Sequence, residues 1–181
     1  GEGIVKGLYK FQDAKPAKHT VRLIGSGAIM QQALGAVDLL AEFDVGAEIW
    51  SATSYGELHR EAVACDRESR LGGETKTPWV SECLGDGSVT VAVSDNMTAY
   101  MKLIAPWVGG DYIVLGADGF GRSDAREALR RFFEIDKEHV AVAALDGLVK
   151  AGQIPKEVHT KALEKFGIAP ERKDICMEVI G

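Results

Sequence analysis

The stretch Thr20–Thr53, TVRLIGSGAIMQQALGAVDLLAEFDVGAEIWSAT, decides the fold class. Thr20 to Ile24 reads as a strand, closed by Gly25-Ser26-Gly27, residue types suited to a sharp turn. Met30, Ala33, Leu34, Val37 and Leu40 then recur at spacings of three and four, one apolar stripe along a helix. Gly46 punctuates that helix, and Ala47 to Thr53, AEIWSAT, reads as the next strand. Strand, helix and strand in succession argue for parallel strands joined by a right-handed crossover.

The alternation continues in both directions. Ser54-Tyr55-Gly56-Glu57 is a Ser-x-x-Glu capping box, in which Ser54 accepts from the amide of Glu57 and Glu57 reaches back to Ser54. The helix that it opens carries Leu58, Ala62 and Cys65 toward a core. Arg70 to Pro78 reads as a loop and Val89 to Val93 as a strand. Asp95 is the expected N-cap of a helix that places Met97, Tyr100, Met101 and Ile104 on one face and that Pro106 helps to end. Tyr112 to Ala117 is a further strand, followed by the loop DGFGRSD, Asp118 to Asp124. Helices are expected over Ala125–Phe133, capped by Ser123 or by Asp124 with Glu127, and over Lys137–Lys150 and Pro155–Phe166. Pro155 suits a first helical position, and Gly167 a position just past the end. Upstream, Ile4 to Phe11 reads as a strand and Gln12 to Lys18 as a hairpin-like loop, which makes the first strand an antiparallel edge. The expectation is an α/β domain with helices on both faces of a largely parallel sheet.

Composition bounds the function. The chain has 181 residues, 46% hydrophobic and 27% charged, the balance of a globular protein with a single core-forming domain. Twenty-one basic against twenty-seven acidic residues give a net charge of −6, which argues against nucleic acid as the main partner. No apolar run reaches the roughly 18 residues of a membrane span. Cys65, Cys83 and Cys176 are odd in number, far apart and in no CxxC pattern, so neither a disulfide scaffold nor a structural zinc site is expected. A reducing cytoplasm is the simplest home. The first residue is Gly rather than Met, and the chain is expected to be a fragment.

Ligands of such sheets gather beyond the carboxyl ends of the strands. Those ends carry Gly25-Ser26-Gly27, Ser54-Tyr55, Ser94-Asp95 and Asp118 to Asp124. The glycine pair resembles the start of a dinucleotide fingerprint, but Met30 stands where the third glycine would be, and a tight strand-to-helix turn is the better reading. Gly85-Asp86-Gly87 resembles the opening of a thiamine diphosphate motif, yet Asn96 follows after only a short strand, and a turn accounts for it. Ser123 lacks the flanking glycine of a nucleophile elbow and reads as a helix cap. Arg122 either binds an anion beside the following helix or pairs with Asp118 or Asp124. The four histidines are scattered without ligand spacing, and Trp50, Trp79 and Trp107 read as core or interface residues.

Five segments then carry a family resemblance: YIVLGADGFGRSDAREALRRFFEID (Tyr112 to Asp136), IVKGLYKF, VRLIGSGAIM, IWSATSYGELHREAVACDR and VAVAALDGLVKAGQI. Together, and in their order along the chain, they resemble the carboxyl-terminal region of the homodimeric bacterial pyruvate dehydrogenase first component, in the transketolase-like family. Arg70 to Gly87 fits that pattern less well. The resemblance implies a three-layer α/β/α fold with a mixed, mostly parallel five-stranded sheet, one transketolase-type C-terminal domain across residues 1–181. It implies a longer enzyme that uses thiamine diphosphate and Mg²⁺ to decarboxylate pyruvate and acetylates the lipoyl group of dihydrolipoyl acetyltransferase, between glycolysis and acetyl-CoA. The family's cofactor and catalytic residues belong to preceding domains, so no catalytic, cofactor or metal residue is carried over. Expected partners are the other domains of the chain, a second subunit and dihydrolipoyl acetyltransferase, with neither nucleic acid nor membrane. Asp118, Gly119, Phe120, Gly121, Arg122, Ser123 and Asp124 are the candidate interface or active-site-approach loop. The alternative is an independent small-anion-binding or regulatory domain that uses Gly25 to Gly27 or this loop.

Overall fold

Residues 2–119 and 125–169 are described in the computed structural model of the chain. Among the described residues five strands, β1 (Leu8–Gln12), β2 (His19–Gly25), β3 (Val45–Ala52), β4 (Thr90–Val93) and β5 (Tyr112–Leu115), form one sheet in the order β1-β3-β2-β4-β5. The pairs β2/β3, β2/β4 and β4/β5 are parallel, and β1 runs antiparallel to β3. The described helices are α1 (Glu2–Lys6), α2 (Met30–Ala41), α3 (Tyr55–Arg70), α4 (Trp79–Leu84), α5 (Thr98–Lys102), α6 (Arg126–Phe132), α7 (Lys137–Lys150) and α8 (Lys156–Phe166).

The sheet is buried on both faces: Val21 to Gly25 of β2 and all of β4 are buried, and the apolar run VAV of β4 fits that position. Val21 and Leu23 of β2, Ala47 and Ile49 of β3 and Val91 and Val93 of β4 pack with α2 and α7. The alternate residues Ile24, Trp50 and Ala92, with Leu8, pack with α3, α4 and α5. Two apolar cores, one on each side of a central mixed sheet, make the expected three-layer α/β/α architecture.

The first strand is an antiparallel edge as expected, but its neighbour is β3 rather than β2. Residues 13–18 are therefore not a hairpin. They pass over the amino end of β3, where a Cβ on Gly46 would lie 2.4 Å from the Lys15 carbonyl oxygen. Gly46 is accordingly inside β3 and does not end the preceding helix. The segment read as one strand from Ile4 to Phe11 is split at Gly7 into α1 and β1. The Gly7 carbonyl there accepts from the amides of Thr53 and Ser54.

Other local expectations divide. Ser54 caps α3, its hydroxyl accepting from the Glu57 amide at 3.1 Å. The return half of the box is replaced: Glu57 pairs with Arg60 at 2.6 Å, and the Ser54 amide goes to Gly7. α4 was not anticipated. Its first amide, from Trp79, donates to the Glu61 carboxylate of α3 at 3.1 Å, a cap that comes from 18 residues away. Asp95 does not cap α5. The Thr98 amide and hydroxyl donate to Asp118 instead, at 2.8 and 2.7 Å. Ala125 occupies the N-cap position of α6, where Ser123 or Asp124 was expected. Pro155 sits at the N-cap of α8, one residue before the first helical position, and Gly167 ends that helix with φ +61.

Candidate functional site

The carboxyl ends of the strands are tied together by short polar bonds. Ser26 after β2 donates to Ser94 after β4 at 3.3 Å, and the Ser94 hydroxyl accepts from the Asn96 amide at 3.1 Å. The Asn96 carbonyl accepts from Ala117 after β5 at 3.0 Å. Gly25-Ser26-Gly27 is thus a strand-to-helix turn. A Cβ on Gly25 would approach Met30 to 3.0 Å, so close packing uses the first glycine and Met30 lies over it.

Asp118, the first residue of the candidate loop, anchors the loop to the start of α5 through both bonds to Thr98. Those N–H and O–H donors hold its carboxyl below the usual carboxylate range. Gly119 follows with φ +109. Phe120, Gly121, Arg122, Ser123 and Asp124 lie outside the described residues.

Gly85-Asp86-Gly87 lies at the opposite, amino edge of the sheet. Gly85 follows the end of α4, and a Cβ on Gly110 (φ +68) would meet the Gly87 carbonyl oxygen at 2.3 Å. The glycines let two backbone turns pack directly on one another. Asp86 accepts from the Arg22 guanidinium at 2.8 Å and from the Ser88 amide at 3.0 Å. Burial alone would raise its carboxyl, but Arg22 and Ser88 hold it down to about 2. Arg22 is almost fully buried, with Glu48 at 3.5 Å and the Trp50 ring at 5.6 Å.

This arrangement does not fit Mg²⁺ and a diphosphate. Asp86 precedes β4 and Asn96 follows it, so the two are separated by about 10 Å or more of strand. Asp86 is already committed to Arg22. Among the described residues, no three His, Cys, Asp or Glu side chains converge as a metal site.

The remaining candidates are structural. Cys65 is buried against Glu61, and burial raises its thiol. Burial likewise pushes the Cys83 thiol up to about 11. His139 donates its amide to Asp136, the cap of α7, and its ring Nδ1 lies 2.7 Å from the same carboxylate. Trp50 is buried. The Trp79 indole donates to the Leu8 carbonyl at 3.1 Å, and the Trp107 indole to Asp66 at 3.0 Å.

A cleft of about 510 Å³ opens at the carboxyl edge, between the ends of β2, β4 and β5 and helix α6. Ile29, Leu129 and Phe133 supply apolar walls, and Arg126, Arg130 and Asp95 supply charge. Neither arginine is among the candidate residues of the sequence. Their signal was present as Arg-x-x-x-Arg in REALRR, which places both on one face of a helix.

The family model of the transketolase-like TK C-terminal domain matches residues 7–136, from the start of the sheet through α6. The chain belongs to this family. Curated relatives of this transketolase-like C-terminal domain extend the similarity through α7 and α8. The pyruvate dehydrogenase E1 component of Pseudomonas aeruginosa is 44% identical over 180 residues, which is 96% of this chain and 20% of that protein. The Escherichia coli K12 protein of the same name is 41% identical over 175 residues, 94% of this chain and 20% of that protein. The chain thus spans about a fifth of the length of these relatives. In fold it is similar to transketolase from Leishmania mexicana, with a TM-score of 0.52 and 18% identity over 95% of this chain and 20% of that one. Among the described residues no helix is long and apolar enough to cross a membrane.

Proposed function

We propose that this chain, residues 1–181, serves as the C-terminal domain of a longer pyruvate dehydrogenase E1 enzyme of the cytoplasm. That enzyme would decarboxylate pyruvate with thiamine diphosphate and Mg²⁺ and pass the acetyl group to the lipoyl group of dihydrolipoyl acetyltransferase. The observation that carries the proposal is 44% identity over nearly the whole chain to a fifth of an enzyme of that name. The domain's own part is assembly. It offers a sheet with two filled cores to the other domains and to the second subunit of a homodimer. The loop from Asp118 to Asp124 is proposed to face one of those neighbours near the approach to the active site. The bonds from Thr98 to Asp118, which fix the first residue of the loop beyond the end of β5, support this.

Two measurements test the proposal. The purified chain, mixed with thiamine diphosphate, Mg²⁺ and pyruvate, should release no CO₂ above background and show no saturable cofactor binding by calorimetry. Exchanged for the matching segment of the Pseudomonas enzyme, it should give a chimera that assembles and decarboxylates pyruvate. Turnover by the isolated chain, or a chimera no more active than the enzyme lacking that segment, would refute the assignment.

A further inference from the structure

We propose that the cleft beneath α6 binds a small organic anion, a carboxylate or phosphate on a partly apolar body, through Arg126 and Arg130. Three observations converge on it. The first is place. β2 connects to β3 on one side, whereas β4 lies on its other side, so the crevice beyond β2 and β4 is the topological switch point where α/β sheets collect ligands. The second is size and lining. About 510 Å³ lies within the range of small-molecule sites, and apolar walls with few polar groups are their usual character.

The third is charge. Arg126 and Arg130 stand four apart on α6 and line the same cleft, a like-charge spacing that destabilises a helix when nothing neutralises it. Among the described residues neither guanidinium has a hydrogen-bond or ion-pair partner. The adjacent Arg131 is the contrast. Its guanidinium is spent on the Phe166 and Gly167 carbonyls, at 3.1 and 3.0 Å, and on Asp136 at 3.4 Å. One arginine of α6 ties the fold together, while the two on its cleft face are left for an anion, whose oxygens a guanidinium fork matches. Asp95 stands in the same cleft. It disfavours a ligand that is anionic throughout and accepts from a hydroxyl or ammonium on the ligand body. The apolar walls at Ile29, Leu129 and Phe133 take that body's carbon face.

The site belongs to this chain and does not depend on the E1 assignment. The test titrates the 181-residue chain with phenyl phosphate, benzoate, inorganic phosphate and benzylamine, following amide shifts by NMR. Phenyl phosphate or benzoate should saturate with a Kd of about 1 mM or tighter, with shifts centred on Ile29, Asp95 and Leu129. Which of the two binds more tightly identifies the head group. Inorganic phosphate should bind more weakly because it lacks the apolar body, and benzylamine, which lacks the anionic group that the arginines take, should bind more weakly than either aromatic anion. Arg126→Gln with Arg130→Gln should weaken binding at least about tenfold, while Arg67→Gln on α3 should leave it unchanged. If the double variant does not fold, the single Arg126→Gln at its exposed position carries the same comparison, with Arg126→Lys retaining more affinity. No saturation by either aromatic anion, shifts centred elsewhere, or binding indifferent to the arginine substitutions would overturn the proposal.

Discussion

Replacing Asp86 with Asn separates the two uses that a Gly-Asp-Gly turn can have. As a structural partner, Asp86 holds the buried Arg22 guanidinium at 2.8 Å. Arg22 has 4% of its side chain exposed and Asp86 has 58%, so solvent screens one end of the pair. A hydrogen bond to a charged group contributes about 1.5–3 kcal/mol and an exposed ion pair about 0–1; a half-exposed pair falls between, and Asp86→Asn should cost about 1–2 kcal/mol. For a chain of this length, each kcal/mol moves Tm by about 2–4 °C, so the melting temperature at pH 7 should fall by about 2–8 °C. The carboxyl titrates near 2 in the folded protein, against an ordinary value of 3.8. Ionisation therefore favours the folded state. The contribution is complete above about pH 4 and is lost as pH falls toward 2. Urea denaturation at pH 7, 4 and 3 should show the gap between wild type and Asp86→Asn narrowing as the wild-type carboxyl takes up its proton. Added Mg²⁺ should leave both proteins unchanged. A variant as stable as wild type at pH 7, a gap independent of pH, or a wild-type melting temperature raised by Mg²⁺ and abolished by the substitution would refute the structural role.

Three further outcomes follow from particular contacts. Ser54→Ala removes the acceptor of the Glu57 amide and should cost about 0.5–2 kcal/mol in chemical denaturation, as the loss of a helix cap does; no loss would mean that the Gly7 contacts alone hold the start of α3. Gly46→Ala should cost about 1–3 kcal/mol or more, because its Cβ would meet a backbone carbonyl at 2.4 Å; an unchanged unfolding midpoint would show that residues 13–18 do not cross β3 there. In the complete enzyme, Arg122→Ala should lower activity or weaken assembly and leave the circular dichroism of this domain unchanged, and normal assembly with an unaltered rate would remove the functional role proposed for the loop.

The sequence by itself determined the α/β class, the apolar stripe of α2, the Ser54 cap and the extent of α7. Each of these depends on residues within a few positions of one another, where periodicity and capping chemistry are local. The order of strands was decided elsewhere. That β1 lies beside β3 depends on residues 13–18 finding a path over Gly46, a contact between segments about thirty positions apart that no local pattern encodes. The same holds for the caps that came from a distance, Glu61 on the first amide of α4 and Asp118 on that of α5. A carboxylate in any element satisfies an amide end once the chain brings it there. In the candidate site, the loop was visible through its glycines and its place after a strand. The cleft was not visible, because Arg126 and Arg130 read as an ordinary charged helix face until the sheet edge lies opposite them. Asp86 shows the converse. Its motif suggested metal chemistry at most weakly, and the fold resolved it by placing a buried Arg22, 64 residues earlier in the chain, within hydrogen-bonding distance.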